Sequence, residues 1–123
     1  FNPDDPANFR RSVYRFVFRT VPDPLMEALD CPNASQLAPR RASSVTALQA
    51  LAMLNNRFLV RQSEHIANKL KNEADPIGEL FLRAYGRPGT ASEIMAVTKY
   101  KDEHGLANAC RIIINSSEFL YIQ

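Results

Sequence analysis

The chain has 123 residues, 46% hydrophobic and 23% charged, with a formal net charge of +2. This is the composition of one globular domain with material for a single core. So balanced a charge does not by itself imply nucleic acid or an acidic membrane as partner. The sequence opens at Phe1 with no methionine and no signal peptide, as expected of a processed chain or a piece of a longer one. Cys31 and Cys110 lie in no CxxC motif and allow one disulfide at most; two packed thiols is the plainer reading.

Residues 1–9, FNPDDPANF, are rich in Pro, Asp and Asn and predict an extended arm or turn. The next stretch, RRSVYRFVFRTVPDP, reads two ways. As a strand it places Tyr14, Phe16, Phe18 and Thr20 on one face. As a helix it lines up Arg11, Arg15 and Arg19 at i, i+4 and i+8, and it separates arginine from apolar residues more cleanly. Pro22 ends the element in either case. Asp23-Pro24 is an N-cap followed by a first-turn proline, which predicts a short helix over Leu25 to Leu29. Asp30 to Arg41 has two prolines and little periodicity, and reads as a long irregular connection.

Between Thr46 and Asn55 the chain is apolar except for Gln49. Thr46 with Gln49 forms a capping-box pattern, so a helix starts there. A short helix apolar nearly all round is normally buried, which makes this the expected centre of the domain, with Leu51 in its core. It is far shorter than the ~20 residues that span a bilayer. Arg57 to Asn72 follows as a helix with Leu59, Ser63, Ile66, Ala67 and Leu70 inward. Asp75-Pro76 opens another, with Ile77, Leu80, Phe81 and Ala84 on one face and Gly86 as its stop.

Arg87-Pro88-Gly89 reads as a turn. Thr90 with Glu93 is a second capping box, opening a helix to about His104 with a narrow stripe of Ile94, Val97 and Lys101. Gly105 is its expected C-cap. Leu106 to Asn115 is the last long helix, with Ala109, Cys110, Ile113 and Ile114 inward, and the apolar SSEFLYIQ end should dock on the body. The expected fold is all-α: residues 1–123 form a single domain, a compact array of five or six helices with a long irregular N-terminal connection.

No HExxH, GxGxxG, P-loop, GxSxG or CxxCH motif occurs, so no catalytic residue, metal or cofactor is assigned. His65 and His104 fall on polar faces of different helices, which suits solvated side chains better than ligands. Gln49, alone in an apolar helix, is a candidate polar ligand contact; a backbone-bonded amide is the commoner fate of such a residue. Arg11, Arg15, Phe16, Phe18 and Arg19 are a candidate interface, since arginine beside aromatic residues is the composition of interface hot spots. The competing reading of the arginines is a solvated helix face.

The segments RRSVYRFVFRTVPDPLMEALDCP, TALQALAMLNN, AYGRPGTASE and GLANACRIIINSSEFLYIQ, in that order, resemble the C-terminal part of a planctomycete-specific domain of unknown function. That family occurs in large proteins that often also carry a cytochrome-c-like domain. The resemblance implies the end of a long, exported protein, and an extracytoplasmic place for it. It carries no activity over to any residue. The leading expectation is therefore a non-catalytic C-terminal helical module that packs against other domains of the same chain, with weak self-association when isolated. The rival is part of an enzyme whose site the missing N-terminal region completes, lined by Arg15, Arg19 or Gln49. No nucleic acid and no membrane span are expected.

Overall fold

Asp23, Thr46, Asp75 and Thr90, the helix starts legible in the sequence, are all side-chain caps in the computed structural model. The structure describes residues 2–11, 14, 20–21, 23–29 and 46–121. Among these residues a 3-10 turn at Pro6–Asn8 precedes seven α-helices: α1 (Pro24–Ala28), α2 (Ala47–Asn55), α3 (Arg57–Leu70), α4 (Pro76–Tyr85), α5 (Ala91–His104), α6 (Leu106–Ile114) and α7 (Ser117–Leu120). No strand occurs among the described residues. The fold is all-α, as the patterning predicts. Most of the Ser12 to Thr20 stretch, with its helix-or-strand alternative, and the whole Asp30 to Arg41 connection lie outside the described residues. The chain divides into two compact units, Phe1–Arg57 and Phe58–Gln123.

In the first unit, Asp23 Oδ1 accepts from the backbone N–H groups of Leu25 and Met26 at 3.1 and 3.0 Å, which satisfies donors that the first turn of α1 leaves over. α1 lies against α2. The capping box of α2 is formed as expected. Its burial is not. Leu48, Leu51 and Leu54 are 68%, 56% and 41% exposed, while Gln49 and Met53 are buried. The expectation that α2 is the centre of the fold, with Leu51 in a core, is therefore wrong. The reason is geometric: a helix whose only polar residues are Gln49 and the terminal Asn55 gives no indication of which side faces in. α1, at five residues, is too small to cover more than one side of α2.

Among the described residues the buried hydrophobic cluster lies in the second unit. Ala67 and Leu70 of α3, Ile77, Leu80 and Phe81 of α4, and Cys110 and Ile113 of α6 form one buried cluster. Each of these helices has a clear polar face, so period 3.6 fixes which residues point in. The inward residues read for α6 (Ala109, Cys110, Ile113, Ile114) are all buried. Ser63, also buried, donates its hydroxyl to the Leu59 carbonyl at 2.8 Å and so leaves no orphan donor. α5 buries no residue fully, which fits its narrow stripe. It turns into α6 through a single residue, Gly105, whose φ of 89° and ψ of 161° are open to glycine and scarcely to anything else. Gly89 serves a different need. A Cβ there would stand 3.0 Å from Phe81 Cγ and 2.9 Å from Ile94 Cγ1, so its absence lets the α4–α5 loop lie on the core ring.

Candidate functional site

Two surfaces stand out, one in each unit. The first is the outer side of α2. Leu48, Leu51 and Leu54 recur every three residues, and Ala47 and Ala50 beside them are exposed too. No charged residue occurs between Thr46 and Asn56. On the same helix Gln49 is only 8% exposed. Its Oε1 accepts from the Thr46 N–H at 3.2 Å. The candidate ligand amide is thus engaged in the cap of its own helix.

Of the candidate interface residues, Arg11 is exposed and Arg15, Phe16, Phe18 and Arg19 lie outside the described residues. His65 is half-buried on α3; His104 is exposed, and its ring tilts against Tyr100 with centroids 4.4 Å apart. The structure does not bring the histidines together, and no group of three or more metal-capable side chains occurs among the described residues. Cys110 is a buried free thiol, and burial pushes its pKa up to about 11; Cys31 lies outside the described residues.

The second surface is a clasp that the sequence reading missed. Arg87 follows Gly86, the left-handed C-cap of α4. Its guanidinium takes two carboxylates at once. Nε and Nη2 donate to Glu118 at 2.7 and 2.8 Å; Nη1 and Nη2 donate to Glu93 at 3.0 and 2.9 Å. Nη1 also donates to the Pro88 carbonyl at 3.2 Å, so all five N–H groups are used. The guanidinium lies over the Tyr85 ring, 5.4 Å from its centroid. Tyr85 Oη is 2.7 Å from Ser116 Oγ, the N-cap oxygen of α7. Glu93 additionally accepts from the Thr90 N–H at 2.7 Å. The Arg87 hydrogen bonds, helped by Thr90, hold the Glu93 carboxyl down to about 2, and Arg87 lowers Glu118 as well. Glu93 is six residues from Arg87 and could be suspected from its place in the capping box; Glu118 is 31 residues away and leaves no local signal.

Beside the clasp lies an open cleft of about 400 Å³, lined by Leu82, Pro88 and Ile94 and by Glu73, Asp75 and Glu79. Its carboxylates are already engaged. Arg83 bridges Glu73 and Glu79 at 3.2 and 3.1 Å, and Asp75 caps α4 by accepting from the Gly78 N–H at 3.0 Å. The clasp holds helices, and the α2 surface is apolar; neither arrangement contains a nucleophile with a base.

Residues 2–101 match the family described as PSD1: Protein of unknown function (DUF1553). The chain belongs to that family. The match takes in both surfaces except Ser116 and Glu118, the α7 half of the clasp. No curated protein and no solved structure matches the chain. Among the described residues no helix is long and apolar enough to cross a membrane.

Proposed function

We propose that the chain is a non-catalytic helical module at the C-terminal end of a large exported protein, and that it packs against other domains of that protein. The observation that carries this reading is the leucine face of α2. Three leucines turned to solvent on a helix that buries its glutamine form an apolar surface with no charge to keep it soluble, the usual mark of an interaction site. A nine-residue helix is about 13 Å long and about 10 Å wide. Its one face is much smaller than the roughly 800 Å² per partner of a stable independent complex. A surface so small is best suited to a neighbour on the same polypeptide, whose effective concentration reaches the millimolar range.

Side-chain footprinting with hydroxyl radicals tests the reading. Leu48 and Leu51 should be labelled in the 123-residue chain and protected when the chain is joined to the domains that precede it. Equal labelling in both would remove α2 as the packing face.

A further inference from the structure

α7 has four residues, too few to hold a helix without outside support. What ties it down is largely polar. Glu118 offers both its oxygens to Arg87, and Ser116 shares a hydrogen bond with the Tyr85 hydroxyl. No apolar residue of the segment is fully buried: Phe119, Leu120 and Tyr121 remain 44%, 37% and 45% exposed. The buried cluster beneath it contains no α7 residue, being drawn from α3, α4 and α6, and Arg87 keeps a second two-pronged partner in Glu93.

We infer that α7 is an electrostatic latch, closed on α4 and α6 by the Arg87–Glu118 pair and able to open while those helices stay folded. Segments held by few buried apolar contacts open locally, well below the free energy of global unfolding. The pair is at the surface, so dissolved salt weakens it. Glu93 and Glu118 both take Nη2 of Arg87, which places two carboxylates side by side and leaves them to repel whenever the arginine turns away. Opening releases Phe119, Leu120 and Tyr121 as an apolar tail and uncovers the parts of α4 and α6 against which α7 lies.

Amide exchange measured by NMR on the 123-residue chain tests the latch. The N–H groups of Phe119, Leu120 and Tyr121 donate to the carbonyls of Ser116 and Ser117, so they report closure. Glu118→Gln should speed their exchange severalfold while the amides from Cys110 to Ile114 keep their rates. Raising wild-type protein from low to molar salt should do the same, and salt should add little in the variant. Unchanged rates at residues 119–121 in Glu118→Gln would overturn the latch. So would α6 amides that accelerate in proportion, because α7 would then be part of one cooperative unit.

Discussion

Thr46 and Gln49 exchange hydrogen bonds across the first turn of α2: Thr46 Oγ1 accepts from the Gln49 N–H, and Gln49 Oε1 accepts from the Thr46 N–H, each at 3.2 Å. This reciprocal pair supplies the Gln49 carbonyl oxygen with a donor, so the amide goes inward without that oxygen being orphaned. The leucines are then left on the opposite side. A helix expected at the centre of the domain instead turns an apolar surface outward.

Leucine truncations separate the two kinds of helix. Leu80→Ala, at a fully enclosed site, should cost about 2–5 kcal/mol through lost burial and a cavity. Leu51→Ala should stay within about 0.5 kcal/mol, as exposed substitutions do. Denaturant titrations of both variants check this. A large loss for Leu51→Ala would mean that the α2 leucines are covered within the chain.

Both threonine caps should matter. Thr46→Ala and Thr90→Ala each remove a side-chain acceptor from a helix start, at about 0.5–2 kcal/mol. In both variants the backbone N–H at the cap keeps its bond to Gln49 or Glu93, but Thr90→Ala also removes the hydroxyl that donates to Glu93 Oε2 at 2.9 Å, so its loss should be at least as large. Thermal melts in which either variant matches wild type would show that the hydroxyl is not needed at that helix start.

Acid should act through Glu93. Its carboxyl titrates at about 2 in the folded chain, against an ordinary 4.5, chiefly because Arg87 donates to it. A lowered folded value means that the pair's contribution is complete above the unfolded value and is lost as pH falls from about 4.5 toward 2. The groups are exposed, so salt should shrink the effect. The carboxyl carbon of Glu93 should titrate well below the usual range, and Glu93→Gln should flatten the stability profile in that window. A midpoint near 4.5 would show that the two-pronged contact is not maintained in solution.

Cys110 should be silent toward thiol reagents. It is fully buried and its thiol is pushed up to about 11, so little thiolate forms at neutral pH and none is reachable. In a Cys31→Ser background, a disulfide reagent should react only as the chain unfolds, at the rate of unfolding. Prompt labelling of the folded protein would place Cys110 near the surface.

What the sequence by itself determined is local. A cap and its partner are two or three residues apart, so Asp23, Thr46, Asp75 and Thr90 announce their helices without any knowledge of the fold. The inward residues of α3, α4 and α6 were legible for the same kind of reason: polar residues on one side of each helix settle which side goes in. α2 has no such side, and only the packing of its neighbours decided that Gln49 and Met53 face inward and Leu48, Leu51 and Leu54 outward. The clasp was equally hidden. Arg87 and Glu118 are 31 residues apart, and they meet only because α7 packs against α4 and α6. Contacts between distant residues are set by how helices stack, and a chain read in order contains no period that records it.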